Sequence, residues 1–236
     1  MKVKSLRIFD PSNKMPQFIL KHQNIYEIIL ALYCCIVVPT LCAVISTRGE
    51  DRAIYKSLSY LAYTEGHMAI VLILGLAFLI GYFFALTFVL FNGGFTKIWK
   101  IIFYSLAIIS SMVLIGGISV PWLHIEGEQA EYYNKLRQIH NNLATAGFIL
   151  LIATTILLFL STFFRNIKHG LFSLATIGYF FVTAFYAMKE ANIIPGPCKV
   201  SSVAQIYIFS ALSFIMFLQY LFTRFIPIKT NLVKEN

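Results

Sequence analysis

At 236 residues the chain has the length of one or two soluble domains, but 58% of it is hydrophobic and only 12% charged, whereas soluble domains carry about 25% charged residues. A mean hydropathy of +0.76, with 22 Phe and 13 Tyr, describes a chain whose side chains face lipid and its interfaces. The net charge of +9 does not predict a nucleic-acid partner, because the basic residues lie between apolar runs and not on one surface.

The segment 1–24 is too polar for a cleavable signal peptide and is expected to be a cytoplasmic N-terminal segment. Six apolar runs follow, at 25–46, 68–91, 101–121, 143–164, 171–188 and 203–226. Each is close to the roughly 20 residues that a spanning helix needs, and none alternates as a barrel strand would. The predicted fold is all-α: a polytopic six-transmembrane-helix bundle over 25–226, with 227–236 as a cytoplasmic tail. Pro39 is expected to kink the first helix, since it removes a backbone donor. Between the first two runs, the stretch from Tyr55 to Leu61 reads as an interfacial helix turn.

Charge placement sets the orientation. With both termini cytoplasmic, the inner segments hold twelve Lys and Arg and the outer loops seven, as the positive-inside rule requires. The inner connections are short, so functional chemistry is expected in the longer outer loops. Cys34 and Cys35 fall within the first run as packing residues, whereas Cys42 and Cys198 both fall towards the outer side, where one disulfide is open to them.

His67, His124 and His140 fall in the outer layer with Glu65, Glu126, Glu128 and Glu131. Side chains of these types can hold a divalent ion that activates water. No HExxH or comparable spacing supports this, so no metal or cofactor is assigned, and His67, His140, Glu65 and Glu126 stand only as candidate ligands. The competing reading places them all in the headgroup layer. His169 and His22 do not supply the facing histidine pairs of a two-haem protein. Glu27 is expected at the inner end of the first helix, near Lys97 or Lys21. The scarcity of ionisable residues at mid-membrane argues against ion-coupled transport.

His140 shares a helical face with Ala144, Gly147 and Leu151. Small residues there admit a neighbouring helix, so this face is expected to point into the bundle, with His140 hydrogen-bonded to a neighbour. Gly75, Ala77, Gly81, Ala85, Gly116 and Gly117 likewise suggest tight packing and not a wide channel.

The run Val44-Ile45-Ser46-Thr47-Arg48-Gly49 resembles the Ile-Ser-x-x-Gly step of the Frag/DRAM/Sfk-type six-helix membrane proteins. The spacing His140, Ala144, Phe148 is similar to the start of that family's fourth helix. Glu50-Asp51-Arg52 and Val203-Ala204-Gln205 depart from its pattern. The resemblance implies a multi-pass protein that organises membrane lipids or partner membrane proteins, with links to lysosomal, autophagy or lipid-anchor pathways. Its candidate outer-face residues are His140, Asn141, Ser46 and Gly49. The alternative is a membrane-embedded, metal-dependent lipid hydrolase or transferase.

Overall fold

The computed structural model describes residues 17, 21–37, 40, 57–123, 125–164, 167–192 and 202–226. It is all-α among these residues. Helix α1 (Gln23–Leu32) widens into a π-helical segment at Tyr33–Val37, just before Pro39. A short α2 (Leu58–Tyr63) precedes four long helices: α3 (Met68–Asn92), α4 (Lys97–Ser119), α5 (Ala130–Phe163) and α6 (Ile167–Asn192). The last helix is α7 (Ser202–Phe225).

Five helices, α3 to α7, are long and apolar enough to cross a membrane. The first apolar run appears as the shorter helical stretch Gln23–Val37; most of the rest of that expected span, together with Pro39, Cys42, Ser46 and Gly49, lies outside the described residues, as does Cys198. The long helices leave Ile73, Leu76, Met112, Leu157 and Val182 exposed on their outer surfaces. A soluble protein rarely leaves so broad an apolar surface uncovered, and a bilayer covers it. The chain is a multi-pass membrane protein.

Helix α5 begins thirteen residues before the apolar run expected at 143–164. Its 34 residues extend about 51 Å at 1.5 Å per residue, longer than the roughly 30 Å hydrocarbon core. Hydropathy detects only the lipid-facing part. The first turns are solvated, and Glu131 and Lys135 pair there one turn apart at 2.9 Å.

Helix α4 packs along α5, α6 along α7, and α3 against α7. The closest approach is α4 to α5. A Cβ at Gly117 would overlap the backbone nitrogen of Ala144, and one at Gly147 would overlap that of Leu114. The small-residue face expected on α5 is thus a backbone-to-backbone contact, with His140, Gly147 and Leu151 all buried. Elsewhere the core is aromatic: Phe78 meets Phe209 at 4.8 Å and Phe88 meets Tyr220 at 5.2 Å.

Not every glycine tightens the bundle. Gly81 makes only ordinary contact with Tyr33 and Cys34, while Gly75 and Gly116 face open space. The connection after α3 turns at Gly94, whose φ of 61° suits a residue without a Cβ.

Several polar groups within the bundle are paired with one another, as a lipid environment favours. Tyr82 and Thr155 share a 2.9 Å hydrogen bond, Thr162 and Ser173 one of 2.7 Å, and Gln219 Nε2 donates to Ser173 at 3.0 Å. Glu27 is held by Arg224 at 3.1 Å and by Gln23 at 2.8 Å. Its partner is therefore on α7, and neither Lys97 nor Lys21, because the last helix returns beside the first.

The α4–α5 contact makes a direct prediction. Gly147→Ala should lower the unfolding midpoint in detergent, costing about 1–3 kcal/mol, since neither backbone can yield without repacking. Gly116→Ala adds the same methyl in open space and should shift it little.

Candidate functional site

The site is assembled around α2, at the end of the bundle where α4 finishes and α5 begins. Ser57 caps α2, its Oγ accepting the Tyr60 N–H at 3.1 Å. Leu58, Leu61 and Ala62 bury one face of α2 with Val71 and Leu74 of α3. Its polar groups reach three other helices. The Leu58 N–H donates to Gln205 Oε1 of α7 at 2.8 Å, and the Tyr63 hydroxyl donates to the Ile118 carbonyl of α4 at 2.5 Å. Ser59 Oγ lies 2.7 Å from His140 Nε2 on α5. The interfacial turn expected near Tyr55–Leu61 is thus a helix docked into the bundle, and Gly66 (φ 75°) allows the turn from it into α3.

His140 is 2% exposed. Its Nδ1 lies 2.7 Å from the Val120 carbonyl, and Tyr63 stands edge-on to the ring at 6.1 Å. A carbonyl only accepts, so Nδ1 carries the proton in the neutral ring. Nε2 is then the acceptor for the Ser59 hydroxyl. The reason lies in the sequence at the end of α4. Pro121 disfavours helical geometry at Val120, which is extended at φ −77° and ψ 130°. Carbonyls in the last turn of a helix lack intrahelical partners, and the Val120 carbonyl finds one in His140.

Below these groups lies a cavity of about 580 Å³, lined by residues of α2 to α7. Its walls are mainly apolar, with Val71, Leu74, Phe78, Leu114, Phe148, Ile152 and Phe209 among them. Its polar side chains are Ser59, Tyr63, His140, Thr145 and Gln205. Gly75 lines it with nothing within 4 Å of its Cβ position, so this glycine enlarges the cavity instead of tightening the bundle. From His140 to Ile152 the lining of α5 runs about 18 Å at 1.5 Å per residue. On the α5 and α6 side, Ile149 is 58% exposed, Phe181 52% and Phe185 66%, so the cavity opens sideways between these helices.

The other expected site residues among those described do not converge here. Asn141 is exposed and accepts from Trp122 Nε1 at 3.2 Å, securing the connection from α4 to α5. His67 precedes α3, Glu65 lies in the α2–α3 turn, and Glu126 is exposed between α4 and α5. Among the described residues no three His, Cys, Asp or Glu side chains group closely enough to hold a metal ion. His124, Ser46 and Gly49 lie outside those residues. Sequence reasoning did not single out Ser59 or Gln205. The run containing Ser59 was recognisable as helical, but nothing in its spacing ties it to a histidine 81 positions away.

No protein-family model, curated protein or solved structure matches this chain.

The anchoring bonds should differ in weight. Tyr63→Phe removes one hydrogen bond and should cost about 1 kcal/mol. His140→Ala also strands the Ser59 hydroxyl and Val120 carbonyl and empties a buried site, so its cost should be larger. Unfolding midpoints of the two purified variants in one detergent give the comparison.

Proposed function

We propose that the protein is a lipid-holding membrane protein, in which a chain of a bilayer lipid occupies the cavity while its polar part meets Ser59, His140 and Gln205. The observation that carries this reading is the cavity's shape. Its volume of about 580 Å³ falls within the roughly 300–1,000 Å³ of small-molecule sites. Its length of about 18 Å, from twelve steps along α5, is close to one leaflet of a hydrocarbon core about 30 Å thick. It is apolar along its depth and opens sideways between α5 and α6, on surfaces that the bilayer covers. A lipid could enter from the side without leaving the membrane.

Such a protein organises lipid around itself, in keeping with the role implied by the Frag/DRAM/Sfk-type resemblance. On the positive-inside reading of the sequence the His140 end lies away from the cytoplasm, and the held lipid would then come from the outer leaflet. The metal-dependent hydrolase is less favoured. Its candidate donors are dispersed, and both ring nitrogens of His140 have protein partners at 2.7 Å.

Lipid retention tests the reading. Protein purified from a membrane in mild detergent should carry lipid near one per chain by native mass spectrometry. Gly75→Trp, which fills the cavity, should lose most of it. Gly178→Trp places the same bulk in open space on α6 and should retain it. Equal retention by the two folded variants would place the lipid elsewhere and defeat the proposal.

A further inference from the structure

The pair at the head of the cavity has more order than lipid binding needs. Lipid held by its chain requires only an apolar slot and some polar group near the headgroup. Here a serine hydroxyl is hydrogen-bonded to a buried histidine whose other nitrogen is fixed by a backbone carbonyl. This is the geometric sequence of nucleophile, base and orienting group used in covalent catalysis. The groups come from three places in the chain, α2, α5 and the end of α4, and Ser59 and His140 both line the apolar cavity.

We propose that Ser59 and His140 form a nucleophile and general base that cleave or transfer an acyl group from the carboxylic ester of a lipid held in the cavity. This rests on the lipid-holding reading above and assigns that site a reaction. Ser59 Oγ attacks the ester carbonyl carbon as its proton passes to His140 Nε2. The carbonyl–oxygen bond to the lipid alcohol then breaks, and the departing alkoxide takes the proton from Nε2. The acyl group remains on Ser59 as an ester. Water, or the hydroxyl of a second lipid, gives its proton to Nε2, attacks that ester and releases Ser59, which recovers its proton. No electrons are exchanged with a cofactor at any step.

Two neighbours assist. The Val120 carbonyl stands at the C-terminal, negative end of the α4 dipole, where it favours the charge that the ring gains when Nε2 is protonated. Gln205 accepts from the Leu58 N–H with Oε1, which fixes the amide's orientation, since a backbone N–H can only donate. The amide nitrogen is then the donor side of Gln205. Gln205 lines the same cavity and adjoins the residue before Ser59, so its amide is the donor available to the developing oxyanion.

The test uses the full chain in lipid nanodiscs with an alkyl fluorophosphonate probe, which phosphonylates an activated serine. The modified residue is located by peptide mass spectrometry, and retained lipid is measured on the same samples. Labelling should fall on Ser59 in the wild type and vanish in Ser59→Ala. It should slow by about 10²-fold or more in His140→Gln, which keeps polar bulk but cannot take the proton. Gln205→Glu keeps the acceptor for Leu58 and removes the amide donor, and should also slow it. Retained lipid without Ser59 labelling in the wild type would overturn the catalytic assignment and leave the lipid-holding reading intact. Labelling at the wild-type rate in a folded His140→Gln protein would also overturn it. Ser59 labelling without retained lipid would uphold the reactive pair and remove the lipid-holding reading instead.

Discussion

The contact between α4 and α5 sets the geometry of everything at the His140 end. Two helices whose backbones touch, at Gly117 against Ala144 and at Gly147 against Leu114, cannot slide or rotate without collision. Small residues allow such an approach where lipid provides no hydrophobic force to press helices together. The consequence at the end of α4 is local and chemical. The chain leaves the helix at Val120, Pro121 prevents another helical turn, and the freed carbonyl arrives 2.7 Å from the ring of His140. A side chain at either glycine would separate that carbonyl from the histidine it orients.

Helix α2 acts on the same end from the opposite direction. It is too short to be stable alone, and its order comes from what it touches: a buried apolar face against α3, and hydrogen bonds to α4, α5 and α7. Each bond satisfies a polar group that would otherwise meet lipid or the apolar cavity. The helix therefore closes the top of the cavity and presents Ser59 to it in one arrangement. Tyr63 supports this by bonding to the carbonyl of Ile118, two residues before Val120.

What the sequence made legible follows from the range of the signals involved. Long apolar runs located α3 to α7, because each span must satisfy its own backbone within the bilayer. The face of α5 was also readable, since His140, Ala144 and Gly147 recur at helical spacing. The solvated start of α5 was not, because hydropathy is blind to a helix that continues into water. For Glu27 the partner depended on which helix returns beside α1, and that is decided by packing. Ser59 and Gln205 were invisible as site residues for the same reason. They lie 81 and 65 positions from His140, and only the docking of α2 brings them together with it.

The two ends of the bundle use their polar residues in opposite ways. Towards Arg224, Thr162, Ser173 and Gln219 bond to one another, and Gly170 lies against the Phe163 ring, so α5 and α6 meet closely. Towards His140 the same two helices leave Ile149, Phe181 and Phe185 exposed along an open slot. A helix pair close at one end and open at the other forms a cleft whose mouth lies towards His140. Because the sealed end is held by paired polar groups and close packing, widening the cleft need not disturb it. The polar groups that remain near the cleft belong to a site already ordered by α2 and by the end of α4. The open end therefore combines lateral access with a fixed arrangement of Ser59 and His140, and the sealed end keeps that arrangement from depending on what fills the cavity.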